Sequence, residues 1–228
     1  MNILLINGSP KGEQSDTLHL TRAFLRGMSA AGPLDITVIE AAAKDIAYCR
    51  GCLTCMRNGG ACVIRDDMEE ILGQILSSDL LLFSFPLYYF GIPAPLKALL
   101  DRTLPLSTIA MQKTGDRYQH ISNHDFSKLR YIMISGCGLP NAVHNFEPLR
   151  IQFSMIFPQN LLMLTIPQSP LFNIPEAAPV TSPFLASVEQ AGREYEETGA
   201  VSPSLLEILS RPMIPEEDYA RICSGFMD

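Results

Sequence analysis

The sequence has no long run of charges of either sign. Its 228 residues include 24 acidic and 17 basic side chains, which gives a formal net charge of −7. Binding to nucleic acid or to an anionic membrane surface requires a concentration of basic side chains. We therefore expect neither class of partner, and any anionic ligand must be held by local groups.

The sequence also lacks a segment that resembles a membrane span. The uncharged segment over residues 80–96 is interrupted by Pro86, Pro93 and Pro95 and falls short of the roughly 20 apolar residues that a span needs. The N-terminal residues have neither the basic opening nor the small-residue cleavage site of a secretory signal. These absences predict a cytoplasmic protein without a membrane anchor.

Several catalytic and ligand-binding motifs are missing as well. The sequence contains neither the dinucleotide-binding fingerprint nor the P-loop, and no Gly-x-Ser-x-Gly elbow indicates a hydrolase. Its four histidines do not have the spacing of metal ligands. No internal repeat and no low-complexity segment is present.

Apolar residues are plentiful and their pattern predicts an α/β fold. Hydrophobic residues make up 47% of the chain, enough for a packed core. Five apolar or alternating segments are typical of strands, and helical spacing follows most of them. The predicted strands are 2–7, 34–40, 80–85, 129–135 and 161–166, and the predicted helices are 15–30, 66–77, one from about 95, and 146–156. This alternation predicts a doubly wound sheet.

Two further regions are less regular. Residues 104–128 have weak periodicity, which predicts a long functional or mobile loop near the active face. Prolines between 167 and 183 indicate a linker, after which Ser182-Pro183 and Ser202-Pro203 predict two helix starts. We therefore expect one domain over 1–170 and a helical extension over 171–228, which packs on the core or on a second subunit.

The first loop, residues 8–17, joins the first strand to the first helix. It offers hydroxyl groups at Ser9, Ser15 and Thr17 together with the N–H groups of a helix N-terminus. These groups suit a terminal monophosphate held without magnesium. Taken alone, the loop fits a simple helix cap in a polar turn equally well.

The second and third loops follow later strands of the predicted sheet. The second, residues 86–93, carries Tyr88, Tyr89 and Phe90 between prolines. Open α/β sheets bind ligands at the carboxyl ends of their strands, and aromatic side chains can flank a planar heterocycle there. An aromatic cluster is also typical of an ordinary core. The third loop, residues 135–138, can supply backbone donors to the edge of the same ring.

Four of the six cysteines lie in a cysteine loop, residues 49–62. Cys49, Cys52 and Cys55 are three residues apart, and Cys62 can return as a fourth thiolate through Gly59 and Gly60. Four thiolates are the ligand set of a 4Fe-4S cluster. Zinc and a loop without any metal are the alternatives that this pattern leaves open.

The ordered combination of these motifs resembles a known family. The Gly-Ser-Pro loop ending in Ser15-Asp16-Thr17, the Pro86-x-Tyr88-x-x-Gly91-x-Pro93 segment and the cysteine loop followed by Asp66-Asp67-Met68 carry the likeness. They resemble the flavodoxin-like NAD(P)H-dependent FMN reductases, whose cysteine-bearing branch includes the iron-sulfur flavoproteins. The resemblance covers about residues 1–170 and implies a five-stranded parallel sheet in the order 2-1-3-4-5.

The resemblance also implies an FMN site across the three loops. The implied contacts are Ser9, Lys11, Ser15, Asp16 and Thr17 in the first loop, Pro86, Leu87, Tyr88, Tyr89, Phe90 and Gly91 in the second, and Ser135, Gly136, Cys137 and Gly138 in the third. The family commonly has Asn where this chain has Asp16, and a carboxylate repels a phosphate unless it faces away. Lys11 can offset part of that repulsion.

The resemblance leads to two main hypotheses about function, from different classes, and to a third, simpler one. The first is an enzyme in which FMN accepts hydride from NAD(P)H and passes electrons to a small acceptor such as a quinone or flavin, with no catalytic side chain assigned. The alternative is an electron carrier, in which a 4Fe-4S cluster on Cys49, Cys52, Cys55 and Cys62 receives single electrons from a ferredoxin-type protein donor and relays them to FMN. A module that binds FMN without turnover is a third hypothesis. We expect a homodimer or homotetramer.

Overall fold

The computed structural model describes residues 1–225, in which a parallel sheet lies between helices. Its strands pair in the order Asp35–Glu40, Asn2–Asn7, Leu80–Pro86, Arg130–Gly136 and Leu161–Ile166. The strands described are β1 (Asn2–Asn7), β2 (Asp35–Glu40), β3 (Leu80–Pro86), β4 (Ser107–Thr114), β5 (Arg117–Ser122), β6 (Arg130–Gly136) and β7 (Leu161–Ile166). The helices described are α1 (Asp16–Ala31), α2 (Thr54–Arg57), α3 (Met68–Ser77), α4 (Ala94–Asp101), α5 (Glu147–Ile156), α6 (Ala178–Thr198), α7 (Pro203–Ser210) and α8 (Glu216–Ser224). The flavodoxin-like fold and its strand order are confirmed.

The central strands are mostly apolar because both faces of the sheet are covered. Residues 80–85 of β3 are all buried, as expected for a parallel strand between two layers of helices. One apolar core lies between the sheet and α1, α6 and α7, and a second lies between the sheet and α3, α4 and α5. The sheet thereby holds the carboxyl ends of β1, β3 and β6 side by side.

Helix α6 packs closely against α1 through two glycines. A Cβ atom at Gly27 would lie 1.8 Å from the carbonyl oxygen of Glu189, and one at Gly192 would lie 1.9 Å from that of Phe24. Backbones this close leave no room for a side chain. The C-terminal extension therefore packs on the core, where Val188 is fully buried. The division into units 1–170 and 171–228 stays a prediction.

The structure corrects the prediction for residues 104–128. A short 3-10 helix over Leu104–Leu106 leads into an antiparallel hairpin of β4 and β5, which turns at Gly115 with φ +60°. Almost every hairpin side chain is at least partly exposed. Without a buried face there is no apolar alternation, and the strands have no signal in the sequence.

The helical tail also differs from its prediction. Helix α6 begins at Ala178 and contains Pro183, whereas the sequence places the helix start at Ser182-Pro183. Ser202 is the N-cap residue of α7, as predicted, and α8 is a helix that the sequence analysis missed. Of the helices that the structure describes, none combines the length and hydropathy that a membrane crossing needs.

Candidate functional site

The three loops meet at one edge of the sheet. Parallel pairing places Asn7 of β1 beside Ser84 of β3, and Pro86 of β3 beside Gly136 of β6. The N–H of Gly8 donates to the carbonyl of Ser84 at 2.9 Å, and the N–H of Leu87 donates to the carbonyl of Gly136 at 2.8 Å. The first, second and third loops therefore leave the sheet next to one another.

The first loop turns its hydroxyl groups inward. Ser9, Ser15 and Thr17 are each about 1% exposed. Ser15 is the N-cap residue of α1, but its hydroxyl lies 2.8 Å from that of Thr17 and makes no capping hydrogen bond to the helix backbone. The first turn of α1 thus presents N–H groups that no cap side chain satisfies, an arrangement suited to an anion.

Asn7 shapes the first loop, and the sequence analysis missed it. Its Oδ1 accepts from the N–H of Ser9 at 3.1 Å, while its Nδ2 donates to the carbonyl of Gly12 at 3.0 Å and to Glu40 Oε2 at 2.7 Å. The available signal in the sequence was a polar Asn7 directly after the apolar residues 3–6, and its side chain is fully buried in the structure. The side chain holds the loop curled over the end of β1.

Asp16, which stands where the family commonly has Asn, is paired with Lys11 and Asn173. Its Oδ2 lies 3.1 Å from the Lys11 Nζ, and its Oδ1 accepts a hydrogen bond from the Asn173 Nδ2. Lys11 is half-exposed and can move, but in this arrangement it offsets the carboxylate. The negative charge at the loop is therefore partly neutralised before any ligand binds.

The aromatic side chains of the second loop are not core residues. Tyr89 is fully exposed, and Tyr88 and Phe90 are about half-exposed. Tyr89 and Phe90 have φ values of +47° and +62°, a left-handed backbone that non-glycine residues rarely adopt. Reciprocal backbone hydrogen bonds between Tyr88 and Gly91 hold this turn. Strained loops with exposed aromatic rings are typical of ligand sites.

The third loop is tightly packed. A Cβ atom at Gly136 would lie 2.6 Å from the Cβ of Ser169, so only glycine fits there. The buried Ser135 hydroxyl finds no hydrogen-bond partner within residues 1–225. Burial raises the pKa of the Cys137 thiol, which keeps it protonated at neutral pH. The loop therefore offers a free hydroxyl and a glycine-lined backbone rather than a nucleophile.

A large cavity is lined by residues outside the three loops. Its volume is about 620 Å³, and it lies against the sheet beside α4, α5 and the β4–β5 hairpin, with Phe83, Leu99, Tyr131 and Phe157 in its wall. None of the predicted FMN contacts lines it. The exposed apolar side chains of Met155 and Ile156 border it.

The cysteine loop brings its thiols into one region. Cys49 and Cys52 are exposed, Cys62 is partly buried and Cys55 is buried, and all four are free thiols. Burial, and next the nearby Cys62, raise the pKa of Cys55, whereas hydrogen bonds from Thr54 lower that of Cys52. Within residues 1–225, no group of three or more His, Cys, Asp or Glu side chains is arranged to hold a metal ion.

A buried ion pair anchors this loop to the sheet domain. The Arg102 guanidinium donates to both oxygens of Asp66, at 2.6 and 2.9 Å, to the carbonyl of Ala47 at 2.7 Å and to the Cys62 sulfur at 3.7 Å. Burial raises the pKa of Asp66, but the hydrogen bonds that its carboxylate accepts from Arg102 and from the N–H groups of Ala47 and Met68 outweigh burial and lower the pKa. The sequence analysis gave Arg102 no role of its own.

Comparisons with known proteins agree with the fold. A family model described as a flavodoxin-like fold matches residues 1–140. An NAD(P)H:quinone oxidoreductase from Methanothermobacter marburgensis superposes with a TM-score of 0.63 at 16% identity, over 86% of this chain and 96% of that one. At this identity the likeness concerns the fold alone.

Curated relatives carry two kinds of name. An iron-sulfur flavoprotein of Methanocaldococcus jannaschii is 37% identical over 106 residues, which are 46% of this chain and 53% of the relative. An FMN-dependent NADH:quinone oxidoreductase of Pseudomonas fluorescens is 33% identical over 110 residues, 45% of this chain and 55% of the relative. The chain thus matches about half the length of each.

Proposed function

The chain belongs to the family described as having a flavodoxin-like fold, and from this premise we propose that it is an FMN-dependent oxidoreductase. In this proposal it takes hydride from NAD(P)H and passes electrons to a small acceptor, such as a quinone or a flavin. The relatives named as FMN-dependent quinone oxidoreductases support the reaction class. The matches cover about half of each relative, so the activity is inferred from the site.

The observation that carries the proposal is the meeting of three chemically different loops at one edge of the sheet. Buried hydroxyls and uncapped N–H groups at the start of α1 fit a phosphate. Exposed aromatic rings on the second loop fit a planar heterocycle. The unpartnered Ser135 hydroxyl on the third loop fits a polar ring edge. These residues together fit FMN.

The residues of the chain would bind and orient the cofactor. Ser9, Ser15 and Thr17 would hold the phosphate, while the pairing of Asp16 with Lys11 and Asn173 limits the repulsion that its carboxylate exerts. The second and third loops would fix the ring. When bound, FMN supplies the hydride-accepting centre, so the protein needs no acid, base or nucleophile of its own.

The Ser9→Ala/Thr17→Ala double variant tests the phosphate assignment. Hydrogen bonds to a charged group contribute about 1.5 to 3 kcal/mol each, so losing two should weaken FMN binding about 100-fold or more. Ser187→Ala removes a hydroxyl from the exposed face of α6 and serves as the control. Titration of the apoprotein followed by flavin fluorescence measures the affinities. An unchanged affinity in the double variant would remove the assignment, and we expect FAD to bind poorly.

The names of the iron-sulfur relatives and the four clustered cysteines favour a second candidate, an electron carrier with a 4Fe-4S cluster and a ferredoxin-type protein donor. As arranged within residues 1–225, however, Cys49, Cys52, Cys55 and Cys62 do not form a metal-holding group. We therefore derive no step through a cluster. Iron analysis of anaerobically purified protein decides between the candidates.

We also propose that the chain forms a homodimer or homotetramer. Ile151, Met155 and Ile156 on α5 and Met111 on β4 are between 44% and 61% exposed. A row of exposed apolar side chains beside an apolar cavity is typical of a protein contact surface. In this proposal a second copy of the chain covers these exposed apolar side chains.

A further inference from the structure

The C-terminal strap, residues 211–224, crosses the molecule beside the third loop. It follows α7, passes Met213 and Ile214 in an irregular stretch, and ends in α8. The Asn141 Nδ2 donates to Glu216 Oε2 at 2.6 Å and ties the first turn of α8 to the segment that follows the third loop. The strap is thus attached next to the candidate flavin site.

Gln168 fastens the strap with every hydrogen bond that its amide can make in one plane. Its Oε1 accepts from the N–H groups of Met213 and Ile214 at 2.9 and 3.0 Å. Its Nε2 donates to the carbonyls of Ile214 at 2.9 Å and Pro140 at 3.0 Å. Gln168 is fully buried and has a φ of +56°. A buried amide this fully satisfied specifies the position of the strap closely.

The strap delivers one side chain, Tyr219, into the region between the loops. Tyr219 is the buried residue of α8, with 2% of its surface exposed. A Cβ atom at Gly138 would lie 3.9 Å from its hydroxyl. Burial raises the pKa of Tyr219, and the nearby side chains of Cys223, Cys137 and Asp16 raise it further. The hydroxyl therefore lies near groups from both the first and the third loops, and it stays protonated.

The hydroxyl of Tyr219 is more than a packing group. Tyr219 is buried beside the Cys223 thiol, and a thiol is a weak partner for a buried phenol. A buried tyrosine hydroxyl usually has a strong partner, because leaving it without one costs free energy. A ligand atom between the first and third loops would provide that partner.

We propose that Tyr219 is a further binding residue of the flavin site, whose hydroxyl donates a hydrogen bond to the bound nucleotide and whose position is fixed by Gln168. This inference rests on the proposed function, because it takes FMN as the ligand. It assigns a role in cofactor retention to a strap that lies outside the family match over residues 1–140.

Tyr219→Phe in the full chain removes the hydroxyl and nothing else. Losing one neutral hydrogen bond should raise the FMN dissociation constant between about two-fold and ten-fold. The control is Tyr118→Phe, on the exposed hairpin strand β5, which should leave the constant unchanged. Titrations followed by flavin fluorescence give the affinities. Repeating them with riboflavin, which lacks the phosphate, shows which part of FMN the hydroxyl contacts. If the contact is to the phosphate, Tyr219→Phe and the wild type should bind riboflavin equally well.

A second variant tests the strap itself. Gln168→Ala removes the clasp without removing Tyr219, so FMN should dissociate faster and the buried Cys137 should react faster with a maleimide, as mapped by peptide mass. Wild-type affinity and dissociation rate in both variants, with FMN bound normally, would overturn this inference alone. A wild-type chain that binds no FMN would overturn the proposed function as well.

Discussion

Replacing Asp66 by Asn tests the energetic role of the buried ion pair that anchors the cysteine loop. Arg102 and Asp66 are only 2% and 3% exposed along their side chains, and the pair is bidentate. Removing one partner of a buried pair leaves an uncompensated charge, which costs about 3 to 5 kcal/mol. For a chain of this size each kcal/mol lowers the melting temperature by about 2 to 4 °C. We therefore expect Tm to fall by roughly 6 to 20 °C.

The exposed pair of Lys97 and Asp101 is a matched control in the neighbouring helix. Its charged atoms lie 2.6 Å apart, but both side chains are about half-exposed. Such i,i+4 pairs contribute about 0.3 to 0.5 kcal/mol, so Asp101→Asn should lower Tm by no more than about 2 °C. Thermal denaturation followed by circular dichroism compares the two variants. Equal shifts in both would refute the argument from burial.

The same pair predicts how stability depends on pH. The pKa of Asp66 is lower in the folded chain than in the unfolded one. Its contribution is therefore present above the unfolded pKa of about 3.9 and is lost as the pH falls through the lowered folded value. The wild type should lose more stability than Asp66→Asn between about pH 4 and pH 2. Parallel pH profiles would contradict this assignment.

Three further predictions concern packing, assembly and iron. Gly192→Ala forces a methyl group to within 1.9 Å of the Phe24 carbonyl oxygen and should lower the free energy of unfolding by about 1 to 3 kcal/mol or more. In the control Gly73→Ala in α3, the new methyl group meets nothing within 4 Å, so this variant should not be destabilised. Equal denaturation midpoints for the two variants would contradict this prediction. Sedimentation at micromolar concentration should show a species larger than the 25.2 kDa chain, and a monomer with FMN bound would rule out the oligomer. If the second candidate holds, anaerobic protein contains about four irons per chain and Cys55→Ala loses them, while iron absent even after reconstitution removes that candidate.

The sheet could be predicted because burial on both faces leaves a strong mark on a strand. Residues 80–85 are apolar apart from Ser84 and belong to β3. The alternation of such runs with helices is enough to predict a doubly wound sheet, whereas the strand order was implied by the family resemblance. The hairpin of β4 and β5 could not be predicted in this way, because its exposed side chains carry no alternation.

Parts of the candidate site had no local signal. Asn7, Gln168 and Arg102 act through partners that are distant in the sequence, such as Glu40, Ile214 and Asp66. Helix α8 is short and highly charged and buries one side chain, Tyr219. The first loop and the aromatic turn, by contrast, use residues that adjoin in the chain, and their composition already indicates their chemistry.

The most direct test of the central claim is an anaerobic titration of the FMN-loaded protein with NADH and with NADPH. We expect stoichiometric bleaching of the visible flavin absorption by at least one of them, faster than for free FMN, and recovery of the absorption when a quinone is added. A chain that binds no FMN, or bound FMN that neither nucleotide reduces, would contradict the proposed oxidoreductase function.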